Sequence, residues 1–156
     1  NEEVKSGFLG YLLPYYLNTN GEDTPFLVSE FVREFREGDV EGFMCRLQSL
    51  FSSISYRMRM DQEINVHNGL LMLMLLLGLR VQTEFCTSAG RIDLFVATER
   101  FYYIIELKLD GTARHALDQI ESKGYALPFA VSGRKIIKIG VNFSTKTRTI
   151  EDWIVD

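Results

Sequence analysis

The chain has 156 residues, 46% apolar and 24% charged, with a net charge of −4. That length suits one domain able to hide roughly 70% of its unfolded surface, and that composition excludes an intrinsically disordered chain. Two cysteines, Cys45 and Cys86, with no CxxC, exclude a disulfide framework or a cysteine zinc site and suit a reducing, cytoplasmic setting.

The longest apolar run, residues 70–77, is far shorter than the ~20 residues of a membrane span. The start, Asn1-Glu2-Glu3-Val4-Lys5, has the wrong charge for a secretory leader and no following apolar stretch with a cleavage site. A first residue other than Met suggests an excised segment. Charge is unevenly spread. Residues 1–50 carry 4 basic and 9 acidic side chains, and residues 51–156 carry 13 and 12. A polyanion site therefore belongs in the second part.

In chain order, residues 8–17 are apolar and aromatic, broken at Pro14, and Asn18-Thr19-Asn20-Gly21 signals a turn. Residues 25–37 carry Phe26, Leu27, Phe31 and Phe35 at helical spacing and stop at Gly38. Asp39 can cap a second helix with Phe43, Leu47, Leu50, Phe51 and Ile54 on one side. Residues 1–60 thus read as a helical extension packing on a core of residues 61–156. Residues 61–77 read as the most buried helix, polar at its front and apolar at its back, ended by Gly78.

The period then changes to two. Residues 80–85, 91–97 and 101–109 read as strands joined by turns short enough for hairpins. Residues 112–125 return to helical spacing through Ala113, Ala116, Leu117 and Ile120. Residues 135–143 form a further strand, and 149–155 a final edge strand. Three hairpin-linked strands followed by a crossover helix imply an α+β domain with a mixed sheet flanked by helices.

Chemistry concentrates on the third strand. Alternation turns Tyr103, Ile105 and Leu107 to one face and Ile104, Glu106 and Lys108 to the other. A carboxylate and an ammonium on a covered, apolar face need compensation, since each costs several kcal/mol to bury. A mutual ion pair is one answer, and a metal ion in a cleft is the other. Asp93, on the preceding strand, falls within about one residue of the level of Glu106. Two neighbouring carboxylates repel unless a cation sits between them. Mg²⁺ (or Mn²⁺) suits one or two carboxylates, and the Leu107 carbonyl adds a ligand. Such an ion can activate water against a phosphodiester, with Lys108 contacting the phosphate or orienting the water.

Gly90-Arg91-Ile92-Asp93-Leu94 and Glu106-Leu107-Lys108, with twelve residues between Asp93 and Glu106, resemble the PD-(D/E)XK nuclease superfamily. Ala116, Gln119-Ile120, Lys123-Gly124-Tyr125-Ala126, Ile139-Gly140-Val141-Asn142-Phe143 and Trp153 resemble one bacterial branch, DUF1703. In that branch the domain follows an AAA-type ATPase domain. The resemblance covers roughly residues 15–155. It implies a restriction-endonuclease-like αβββαβ core with a central four-stranded mixed sheet. It also implies Asp93 and Glu106 as metal ligands, Lys108 as the catalytic lysine, and Glu63 supporting the metal through water. The function implied is a metal-dependent nuclease acting on DNA more than RNA. The alternative is an inactive nuclease-fold module that binds nucleic acid or protein for the ATPase domain.

Two departures matter. Ile92 stands where the motif has proline. Some relatives carry a glutamine and a tyrosine four apart on the crossover helix, whereas Gln119 and Tyr125 are six apart and would not share a face. Gln119 and Lys123 are then the expected phosphate-facing pair, with Tyr125 packing near the helix end. Arg91 either clamps a phosphate or pairs with an acid such as Glu84. Glu63 and His67, four apart, read as metal or substrate ligands or as an ordinary helix pair near a buried end. Lys135, Lys138, Lys146 and Arg148 form a loose basic cluster around the last strands.

Overall fold

The computed structural model describes residues 24–54 and 79–156. The helix expected over 61–77, with Glu63, His67 and the apolar run 70–77, lies outside the described residues. So do residues 8–17 and the turn after them.

Helix α1 spans Thr24–Glu37. Phe31 and Phe35, four apart, are buried on its inner face. It stops because Gly38 adopts φ +81 and the Asp39 amide donates back to the Glu34 carbonyl at 2.9 Å, the pattern of a Schellman stop. A Cβ at Gly38 would stand 2.7 Å from the Phe101 ring, so the close packing needs glycine as much as the turn does. Asp39 then caps helix α2, Val40–Ile54, by accepting the Gly42 amide at 3.0 Å. Phe43, Leu47 and Phe51 of the expected stripe are buried.

Five strands follow: β1 (Arg80–Thr87), β2 (Gly90–Ala97), β3 (Phe101–Leu109), β4 (Lys135–Ser144) and β5 (Thr149–Val155). They form one sheet in the order β1-β2-β3-β4-β5. Only β3 and β4 run parallel, and the other neighbours are antiparallel. Helix α3, Ala113–Ser122, and a short 3-10 turn at Leu127–Phe129 make the crossover. The expected four-stranded sheet is thus extended by β5 at its edge.

The sheet is covered on both faces. On one, α1 and α2 pack Phe31, Phe35, Phe43, Met44, Leu47 and Phe51 against Leu94, Tyr103, Ile105, Leu107 and Val141. Each such side chain contributes about 1.5–3 kcal/mol by leaving water. The Tyr103 hydroxyl donates to the Phe35 carbonyl, which satisfies one acceptor at the end of α1. Burial holds that phenol protonated by raising its pKa. On the other face, Leu117, Ile120 and Tyr125 meet Ile104, Phe95 and Ile92. The alternation read for β3 holds.

That of β2 does not. Leu94 and Val96 join the first core, but Ile92, which strict alternation would place with them, groups with Phe95 in the second, three residues away. Period two breaks at Asp93-Leu94.

Helix α3 lies close on β4. A Cβ at Gly140 would fall 2.3 Å from the Ala113 carbonyl and 2.6 Å from the Leu117 amide. Bare backbone there lets the helix settle onto the sheet. Among the described residues no helix is long and apolar enough to cross a membrane.

Candidate active site

The site forms where β3 ends beside α3. Its frame is backbone first. Antiparallel pairing of β2 with β3 runs from Ala97 opposite Tyr102 to Leu94 opposite Ile105. One step further, the Asp93 carboxylate accepts the Leu107 amide at 3.0 Å. That places the Asp93 acid against the residue between Glu106 and Lys108. It also accounts for the broken period, because β2 turns its side chain into the role a strand carbonyl would fill.

On the other side β3 is held by β4, with Glu106 opposite Gly140 and Lys108 opposite Asn142. Asn142 is buried and its Oδ1 accepts the Gly111 amide at 2.9 Å. Asp110 accepts the Thr145 amide at 2.9 Å and its hydroxyl at 2.6 Å. These bonds hold the Asp110 carboxyl below its ordinary range. Thr112 caps α3 by accepting the His115 amide at 3.0 Å. The turn that carries the chain from Lys108 into α3 is therefore tied at three points.

Gln119 completes the site from α3. Its Oε1 accepts from the Lys108 ammonium at 2.6 Å, and its Nε2 donates to Glu106 Oε1 in a short hydrogen bond. An ammonium only donates and a carboxylate only accepts, so the amide has one workable orientation. Lys108 Nζ stays 4.0 Å from Glu106 Oε1. Glu106 is 2% exposed, whereas the Lys108 side chain is 22% exposed. The acid is walled in, and the amine reaches the surface.

The model of the PD-(D/E)XK nuclease superfamily matches residues 49–153, about two thirds of the chain. The chain belongs to that superfamily. An uncharacterised protein in the vnfD 5′ region of Azotobacter chroococcum mcd 1 is 38% identical over 82 residues. Those residues are 51% of this chain and 16% of that protein, so the chain spans a small part of its relative. No solved structure matches. Nucleases of this superfamily generally depend on a divalent metal.

The expected ligands, the carboxylates of Asp93 and Glu106 and the carbonyl of Leu107, are hard oxygen. That chemistry fits Mg²⁺ or Mn²⁺ and not a soft ion. Among the described residues no cluster of three or more His, Cys, Asp or Glu side chains stands ready for a metal. Glu63, expected to assist through water, lies outside them.

The remaining expected residues are spread out. Lys123 is the C-cap of α3, exposed, and makes no side-chain hydrogen bond or ion pair among the described residues. Of the expected phosphate-facing pair, only Gln119 is in contact with the acid and the amine. Tyr125 follows the helix, beyond Gly124, and is buried in the second core with its hydroxyl close to Gly90. Its six-residue spacing from Gln119 is explained, since the two never share a helix. Arg91 is exposed on β2 opposite Cys86. Within the expected basic cluster, Lys138 pairs with Glu121 and with Asp156 at 2.8 Å, which raises its pKa and ties α3 to the sheet edge.

The sequence reading gave no role to Gly140, Asn142 or Asp110. A glycine and an asparagine inside an apolar strand were the available signals, since each marks close approach or a buried polar tie.

Proposed function

We propose that the chain is a metal-dependent phosphodiesterase of nuclease type, hydrolysing DNA more than RNA. The observation that carries this is the Glu106–Gln119–Lys108 relay, with the Asp93 carboxylate seated on the amide between acid and amine. Asp93, Glu106 and the Leu107 carbonyl would hold the ion, with Glu63 assisting. Mg²⁺ or Mn²⁺ bound there supplies Lewis-acid stabilisation of charge on the scissile phosphate.

The chain's own groups do the rest. Lys108 meets a non-bridging phosphate oxygen or orients the attacking water, because its ammonium is the exposed member of the relay. Gln119 holds that ammonium off Glu106, so the two charges do not close on each other. Asp93 fixes the backbone between them and keeps the spacing of the Glu106 and Lys108 side chains. Water attacks phosphorus in line and gives up its proton to solvent, and the leaving oxygen departs on the opposite side and takes a proton from solvent.

Arg91 and Lys123, both exposed, are candidates for contacts to flanking phosphates, and Tyr125 for support of the hairpin beneath them. The two exposed cysteines, Cys45 and Cys86, form no disulfide, which supports a reducing, cytoplasmic setting. An AAA-type ATPase domain elsewhere in a longer protein is the partner that the DUF1703 resemblance implies. A relative matched over 16% of its length is consistent with such an arrangement.

The test is cleavage of plasmid and single-stranded DNA with Mg²⁺ or Mn²⁺ by wild type, Asp93→Ala and Lys108→Ala. Wild type cuts and both variants fall by 100-fold or more. Equal activity in all three removes the proposal.

A further inference from the structure

A cavity of the described residues lies at the other end of β3, six residues from Glu106, or about 20 Å along the strand. Its volume is about 570 Å³, and its charged lining is Arg36, Arg80, Arg100, Arg134 and Glu99. None of these four arginines makes an ion pair among the described residues, and Glu99 is the one acid in the lining. Elsewhere the chain pairs its cations freely: Arg33, Arg46 and Lys138 each hold two carboxylates. Unneutralised charge around a concave wall raises the local concentration of anions.

The arginines are also pre-positioned. Arg134 stacks on Tyr102 at 4.7 Å and Arg100 on Phe101 at 5.2 Å. Stacking occupies the guanidinium faces and leaves the in-plane N–H groups for forked contacts to phosphate. Arg100 sits on a fixed turn. Thr98 and Phe101 exchange hydrogen bonds across it, and the Arg100 carbonyl accepts the Lys135 amide at 3.1 Å. No aromatic ring belongs to the cavity lining among the described residues, so a base has no platform there. Phosphates do.

We infer that this arginine cavity binds the phosphodiester backbone of a nucleic acid, as a second contact remote from the cleavage centre. The inference rests on the nuclease reading for the identity of its ligand alone. It needs no cleavage and no metal.

Binding of fluorescein-labelled single-stranded and duplex oligonucleotides, followed by anisotropy in EDTA across a salt series, tests it. Wild type and the double variant Arg80→Gln/Arg100→Gln are compared, with circular dichroism melting as the folding control. Both arginines are exposed, so the double variant melts as wild type does. It loses tenfold or more in affinity, and its slope of log K against log salt becomes shallower by about 1.5, two phosphate contacts' worth.

Unchanged affinity and slope in the double variant overturn the inference, whatever cleavage shows. So does failure of wild type to bind either oligonucleotide. Thermal stabilisation by ATP or tripolyphosphate without oligonucleotide binding assigns the cavity to a free polyphosphate and overturns it too. Loss of oligonucleotide binding in the double variant of a protein that never cleaves sustains the cavity and removes the nuclease reading.

Discussion

Two glutamates are buried almost equally, Glu34 at 3% and Glu106 at 2% exposure, and the fold treats them differently. Glu34 takes the Arg46 guanidinium directly at 2.7 Å, and Arg46 and Arg33 extend the pairing to Glu30 and Glu37. That is a closed ionic clasp between α1 and α2. Glu106 has an ammonium 4.0 Å away, and an amide is placed between them. Direct pairing sets the Glu34 charge against a cation in contact with its Oε1, although its Oε2 has no hydrogen bond among the described residues. An interposed amide anchors acid and amine at once and leaves each with charge to offer. Burial alone does not separate a structural carboxylate from a functional one; the partner does.

Exchanging the two acids for their amides separates the roles most sharply. Glu106→Gln lowers cleavage by roughly 100-fold or more, the loss typical of a charge aimed at the reacting group. Glu34→Gln leaves the specific activity within about twofold and lowers unfolding free energy by about 1–3 kcal/mol, through a weakened bond to a charged partner. Urea titration and a cleavage assay on the same preparations read both. Matching losses of activity in the two variants would erase the distinction.

Gly140→Ala tests the close approach on which the second arrangement depends. An added Cβ meets the Ala113 carbonyl and Leu117 amide, so α3 must lift from the sheet. The cost is about 1–3 kcal/mol of overpacking, and Gln119 moves away from β3 with the helix. Stability and activity fall together, unlike in either glutamate variant. An alanine variant that melts and cuts like wild type would show that α3 is not seated as described.

How much of this was legible beforehand follows from the range of the interactions. Gly38 as a stop, Asp39 as a cap and the alternation of β3 are local, and the sequence carries them within a few residues. So the facing of Glu106 and Lys108 could be read, as could the strand order. The break in β2 could not, because it depends on Asp93 capturing an amide fourteen residues on. Gln119 was legible as a helix position, but not as a bridge, since that needs α3 at its final height above β4. Lys123, chosen by helical spacing, sits where the helix ends. The clasp on Glu34 was equally hidden, for Arg46 lies on another helix.

Gln119→Ala asks whether the bridge matters for ligand binding or for packing alone. Removing it frees Lys108 to close on Glu106, which turns the site toward the Glu34 pattern. Affinity for Mn²⁺, read by isothermal titration, falls by about 10–100-fold, the usual scale for groups that orient a metal's ligands. The melting temperature changes little, since Gln119 is half-buried at the surface of α3. Unaltered Mn²⁺ affinity would make the amide a packing residue and leave Glu106 and Lys108 independent.

The smallest effect belongs to the turn that follows Lys108. Asp110 has an ordinary pKa of 3.8 and is held below it by the Thr145 hydroxyl and amide. A carboxyl depressed in the folded state contributes stability that is fully present above 3.8 and is lost as pH falls through the lower folded value. In wild type the melting temperature therefore falls with acid in the window just below pH 3.8 partly on this account. Asp110→Asn keeps one acceptor for Thr145 and has no proton to gain, so its melting curve is flatter across that window and slightly lower at pH 7. The carboxyl is exposed, which limits the difference to a small one. Superimposable pH profiles for the two proteins would mean that the tie to Thr145 does not hold the turn in solution, and that Asn142 and the Thr112 cap fix the exit from β3.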